Sequence, residues 1–143
     1  MKARSTWKYL ALVGVLSIAA AMCAASPSKH RVLLAVSSPD PTDWQMVMHN
    51  AANLIQGMRP ESVDIEILAF GSGIGILKLD SPVRSEIESL QKADVHFVAC
   101  ANSMRAAHLT ITDLVQSTAV VPSGIVEIVR KQEEGWSYIK GGR

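Results

Sequence analysis

The stretch Ala93–Arg105 reads A-D-V-H-F-V-A-C-A-N-S-M-R. Its apolar run, Val95 to Ala99, has the length and bounds of a buried strand, and helix-compatible residues begin directly after Cys100. That order predicts a strand whose carboxyl end carries a thiol. In an open α/β sheet, such strand ends are where ligands bind and chemistry is done.

Upstream, the compact Val and Leu run from Arg31 to Val36 predicts a fully buried first strand. It stops at Ser37-Ser38-Pro39-Asp40-Pro41, a turn-forming cluster that leaves Thr42 or Asp43 as the expected helix cap. Trp44, Val47, Met48, Ala51, Leu54, Ile55 and Met58 then recur at three- and four-residue steps, one apolar stripe that Gly57 and Pro60 end. His49, Asn50 and Asn53 lie beside the stripe as a solvated face. Val63 to Phe70 alternates as a second strand, with Val63, Ile65, Ile67 and Ala69 on one side. Its acidic start predicts that it emerges from solvent.

Gly71-Ser72-Gly73-Ile74-Gly75-Ile76 follows that strand directly. A dinucleotide fingerprint needs a third glycine where Ile76 stands, so the glycines predict a tight turn lining a pocket. Ser81-Pro82 is expected to cap and open a second helix, burying Val83, Ile87 and Leu90 and running to about Gln91.

Downstream of Cys100, Ala101 to Ala107 reads as helix, and Leu109 to Val115 holds a short helical candidate capped by Thr112. Thr118 to Val121 reads as a fourth strand. Pro122-Ser123-Gly124 starts a last helix, with Ser123 as its cap. Its expected apolar side is Ile125, Ile128 and Val129, and Glu127 and Lys131 form a spaced ion pair. Gly135 ends it, and Trp136 to Ile139 is a fifth strand or a docked tail. Alternating strands and helices predict a three-layer α/β/α fold with a mostly parallel sheet of about five strands.

The chain has 143 residues, 48% hydrophobic and 19% charged, the composition of one globular domain. Lys2, Arg4 and Lys8 precede an apolar run from Tyr9 to Ala21, and Ala24, Ala25 and Ser26 follow. That order predicts a secretory signal over residues 1–25 and a domain over residues 26–143, hence a periplasmic or secreted protein. Contact with the membrane is expected only if the signal stays uncleaved or Cys23 is lipidated. The signal holds three of the 14 basic residues and none of the 13 acidic ones, so the mature surface is near neutral. It offers no electrostatic case for nucleic acid.

Cleavage leaves Cys100 as the only cysteine and excludes an internal disulfide. His96 and Cys100 share a strand face, but four residues at about 3.3 Å each put them roughly 13 Å apart, too far to grip one ion. No metal site and no cofactor are expected, and His96 reads as a satisfied sheet histidine. A G-x-S-x-G elbow is absent, as are the local signatures of cysteine proteases. Cys100 therefore reads either as a small core hydrophobe or as a thiol activated at a helix start. In the second case Arg105 and His108 could add positive charge, and Gly71, Gly73 and Asn102 join them as candidate binding residues.

A-C-A-N-S-M-R at Ala99–Arg105, Leu109-Thr110, Asp113-Leu114, the run Val120 to Arg130 and Glu134 to Ile139 together resemble the DsrE/DsrF-like family. With the first strand and the Phe70-Gly71 turn, the likeness spans nearly the whole mature chain. The resemblance implies a three-layer α/β/α fold, assembly as homo- or hetero-oligomers, and sulfur carried as a persulfide on one cysteine, here Cys100. The expected function is an exported DsrE-like sulfane-sulfur binder or relay of sulfurtransferase type, with a sulfur donor and an acceptor thiol as partners. The alternative is a noncatalytic oligomeric module that binds a small ligand or partner.

Overall fold

The structure, a computed structural model, describes residues 30–142. The expected signal, the tether before His30 and Cys23 lie outside the described residues. Five strands, β1 (His30–Val36), β2 (Val63–Ala69), β3 (His96–Cys100), β4 (Ala119–Val121) and β5 (Ser137–Gly141), form one sheet in the order β4-β3-β2-β1-β5. Every neighbouring pair is parallel. The tail after Gly135 is thus a strand, with Leu33 registered on Tyr138.

Helices α1 (Pro41–Gly57), α2 (Arg84–Gln91), α3 (Ala101–Ala106) and α4 (Gly124–Glu133) connect the strands, with short 3-10 segments at Gly71–Leu77 and Ile111–Asp113. From β1 to β4 the chain steps across the sheet in one direction, and it then returns past β1 to β5. Right-handed crossovers require that reversal to place α4 on the opposite face from α1 and α2. The larger core accordingly joins Val47, Met48 and Ala51 of α1 and Ile87 and Leu90 of α2 to Leu34, Ile67, Phe97 and Ala99. The smaller one joins Leu33, Leu68 and Val98 to Phe70, Val121, Ile128 and Trp136 under α4. Three layers result, as the strand and helix alternation implied.

Several helix starts differ from expectation. Asp40 caps α1, accepting from the Thr42 amide at 2.8 Å, because Pro41 supplies a helical φ at the first position without needing a donor. Asp43 is instead buried within the first turn. Ser81 and Pro82 form a turn in which the Ser81 carbonyl accepts from the Arg84 amide at 3.1 Å, and α2 begins at Arg84. Thr110 caps the second 3-10 segment through a reciprocal bond pattern with Asp113, displacing Thr112 from that role. Ser123 stands at the cap position of α4 but makes no side-chain cap bond.

The larger departures concern α4 and β2. Ile125 and Val129 are 58% and 49% exposed, and only Ile128 of the expected apolar side packs on the sheet. Glu66, expected near solvent, is 5% exposed because α4 lies over it. Lys131 anchors the helix there. Its Nζ sits 2.6 Å from Glu66 Oε2, 3.8 Å from Glu127 Oε1 and 4.1 Å from the Trp136 ring centroid.

Candidate functional site

Cys100 is the last residue of β3 and the residue immediately before α3, with no loop between them. Strand alternation puts it on the α4 face with Val98, and register sets it beside Val121 of β4. The connections leaving these two strands diverge. After β3 the chain turns towards the larger core, where Met104 is buried, whereas after β4 it enters α4 on the other face. A crevice at such a divergence, outside the carboxyl ends of the strands, is the usual ligand position in open α/β sheets. Cys100 stands at this divergence.

Gly124, the first residue of α4, closes over the sulfur. Its N–H donates to Cys100 Sγ at 3.2 Å. A Cβ here would lie 2.9 Å from Phe70 Cβ and 3.4 Å from Cys100 Cβ, so only glycine lets the helix start come this close. Cys100 itself occupies the cap position of α3 but makes no side-chain cap bond.

Burial pushes the thiol up, but the Ser103 hydroxyl and the amides of Gly124, Ser103 and Asn102 together outweigh it. The pKa settles below the ordinary 9.0. The residue is 4% exposed, so its donors and not contact with solvent produce the lowering.

Gly71 adopts φ +54 at the start of the glycine-rich segment and donates its N–H to Ser103 Oγ at 2.7 Å. Gly71 and Ser103 line an open cavity of about 620 Å³ together with Ser72, Gly75, Lys78 and Leu109. The glycine segment, a 3-10 helix, does line a pocket. Gly73 is buried, where a Cβ would fall 2.4 Å from the Val36 carbonyl oxygen, so its presence answers a steric demand of β1.

The side chains of the remaining expected residues are exposed. Asn102 and Arg105 are exposed and hydrogen-bonded to each other through their side chains. His108 is exposed beyond α3 with φ 55. Neither Arg105 nor His108 is among the groups acting on the thiol. His96, at the opposite end of β3, is exposed, with Glu66 as its register neighbour. Among the described residues, no group of three His, Cys, Asp or Glu is arranged to hold a metal ion, and no helix is long and apolar enough to cross a membrane.

Ser103 and Gly124 are the site residues that sequence reasoning missed. Gly124 had left one signal, since glycine is a poor helix former and its use at a helix start calls for a steric reason. Ser103 had left none, because its partner Gly71 is 32 residues away.

Residues 30–140 match the model of the DsrE/DsrF-like family. Among solved structures, the chain is similar to a protein of unknown function, MTH1491, from Methanobacterium thermoautotrophicum. The two are 34% identical with a TM-score of 0.74, over 78% of this chain and 98% of that one. It shares its fold with a conserved protein of unknown function, BT1422, from Bacteroides thetaiotaomicron, at 18% identity and a TM-score of 0.62 over 77% and 93% of the two chains. The ychN protein of E. coli has the same fold at 12% identity and a TM-score of 0.61, over 79% and 99%. No curated protein gives a significant match.

Proposed function

The chain belongs to the DsrE/DsrF-like family, and from that premise we propose that it carries sulfane sulfur as a persulfide on Cys100. The observation that carries this reading is the Gly124 N–H held 3.2 Å from Cys100 Sγ where β3 and β4 end, with the thiol pKa lowered. The thiolate is the nucleophilic form of cysteine. It attacks the terminal sulfur of a polysulfide, the S–S bond of the donor breaks, and the shortened polysulfide leaves with the electron pair. Cys100 then bears an S–S⁻ group. An acceptor thiolate attacks the outer sulfur, takes it as a new persulfide, and returns Cys100 to its thiolate with no net oxidant or reductant consumed. Cys100 is the only free cysteine among the described residues, and removal of the proposed signal would take Cys23 away, so the acceptor in this reading is a thiol of another molecule.

Mass spectrometry after exposure to polysulfide tests this. The expected result is one added sulfur on Cys100, removed by dithiothreitol and absent from Cys100→Ser. A thiol that alkylates readily but gains no sulfur would overturn the reading.

We further propose that the protein is exported and forms a homo-oligomer. Export rests on the basic start Lys2, Arg4, Lys8 and the apolar run that follows it. Fractionation of the host cell, with the mass of the mature chain, tests it. Self-association rests on α4, whose Ile125, Val126 and Val129 are 58%, 48% and 49% exposed. These side chains also favour a second reading, a noncatalytic oligomeric binding module. That reading expects Cys100→Ser to keep full partner binding and biological effect, and the relay reading expects the variant to lose the effect.

A further inference from the structure

Three residues seat α4 on the sheet. Gly124, its one buried residue, lies over Cys100 and Phe70 at the start of the helix. Ile128 packs on the cluster of Leu33, Leu68 and Val98 near the middle. Towards the end, Lys131 Nζ reaches Glu66 Oε2 at 2.6 Å. Glu66 is registered on His96, four residues before Cys100, so the ion pair lies about 13 Å down the strands from the sulfur. The helix from Gly124 to Lys131 spans about 10 Å, and the lysine side chain covers the difference. Helix α4 therefore runs back along the strands with one end on the thiol and the other on Glu66. Its remaining apolar side chains, Ile125, Val126 and Val129, are exposed and hold nothing down. A helix seated on Ile128 pivots there, so whatever fixes Lys131 also fixes the height of Gly124.

We propose that Glu66 and Lys131 are positioning residues for Cys100, a clamp at the far end of α4 that keeps the Gly124 N–H on the sulfur. The inference rests on the reading of Cys100 as the working nucleophile. Stability alone accounts poorly for the pair. Glu66 is 5% exposed and its Oε1 has no hydrogen-bond partner among the described residues, nor has Nε1 of Trp136, the ring against which Lys131 Nζ lies at 4.1 Å. Each unmet buried polar atom costs free energy, and buried ion pairs are often no more stabilising than apolar side chains of the same volume. What a short charge-assisted bond adds is a fixed length and direction. The 3.2 Å bond from Gly124 N–H to Cys100 Sγ needs such a fixed helix, because any lift of that end lengthens the bond and uncovers the sulfur.

The test follows iodoacetamide alkylation of Cys100 against pH in wild type, Lys131→Ala, the double variant Glu66→Gln/Lys131→Ala and Arg130→Ala, with circular dichroism on each protein. Lys131→Ala leaves Glu66 as a lone buried carboxylate, which the double variant avoids while keeping the net charge of wild type. Arg130→Ala removes the same charge from an exposed neighbour on α4. Loss of the clamp is expected to move the midpoint of the profile upward by about one pH unit, hence a roughly tenfold smaller thiolate population at neutral pH. The rate at high pH should not fall, because the sulfur is less covered. Arg130→Ala should keep the wild-type profile. A folded clamp variant with the wild-type midpoint would overturn the proposal, and so would Arg130→Ala shifting as far as Lys131→Ala, since charge alone would then account for the change. Persulfide formation on wild type is scored separately. Its absence alongside a clamp-dependent midpoint refutes the sulfur chemistry and leaves the positioning role standing. Its presence with a clamp-independent midpoint does the reverse.

Discussion

Replacing Gly124 by alanine adds one methyl group at the point where α4 meets the thiol. That carbon would lie 2.9 Å from Phe70 Cβ, 3.3 Å from Phe70 Cγ and 3.4 Å from Cys100 Cβ. Phe70 Cβ is bound directly to the backbone and has no rotamer by which to escape, so the helix start moves instead. Overpacking of this kind costs about 1–3 kcal/mol, against a gain of up to about 1 kcal/mol from alanine's better helix propensity. A net loss of about 1–2 kcal/mol is expected, read as a lower Tm.

The chemical consequence is larger than the stability change. A shift of the helix start lengthens the 3.2 Å bond from Gly124 N–H to Cys100 Sγ. Hydrogen bonds to charged groups contribute about 1.5–3 kcal/mol, and about 1.4 kcal/mol corresponds to a tenfold change in thiolate population. Partial loss of the bond should slow iodoacetamide alkylation at neutral pH by about tenfold and move the pH profile upward. If a folded Gly124→Ala protein alkylates on the wild-type profile, the amide does not hold the thiolate, and the electrostatic account of the site fails.

Three further outcomes are expected. Glu66 is buried, which raises its pKa above 4.5 despite the opposing Lys131, so the folded protein keeps this proton to higher pH than the unfolded chain does. The stability of wild type relative to Glu66→Gln should then fall as pH rises from 4.5 through the raised value, and melts that show a flat or rising difference would exclude this. The Cys100 pKa is lowered, so its contribution is complete above 9.0 and is lost as pH falls through the folded value. Melts of wild type and Cys100→Ser should diverge in favour of wild type as pH climbs towards 9.0, a trend that a thiol without hydrogen-bond donors would not give. Gly73→Ala would put a carbon 2.4 Å from the Val36 carbonyl oxygen, a backbone atom of the core strand β1. A loss of about 3 kcal/mol is expected in urea unfolding, at the upper end of the overpacking range.

The strands of this protein could be read from local pattern because burial on both faces leaves near-continuous apolar runs, and a parallel sheet needs such runs. Val32 to Val36 and Phe97 to Cys100 are buried as that pattern requires. Helix starts were harder, since Asp40, Thr42 and Asp43 all have cap chemistry, and the choice among them depends on where Pro41 can be used. The apolar side of α4 was misread for a different reason. Helical periodicity marks Ile125 and Val129 as one stripe, but Lys131 pairs with buried Glu66 and turns that stripe outward.

The sequence by itself determined the alternation of elements, the placement of Cys100 at a strand end, and the family to which the chain is similar. These follow from periodicity and local residue chemistry, which act over a few positions. Tertiary structure decided what surrounds the sulfur. Gly124 lies 24 residues from Cys100, and Gly71 lies 32 from Ser103. Each pair meets at the ends of neighbouring parallel strands, β2 with β3 and β3 with β4, and the reversal after β4 brings α4 onto the face that carries the sulfur. The resulting convergence gives the thiol its Gly124 donor, and it depends on strand order, which no local pattern encodes.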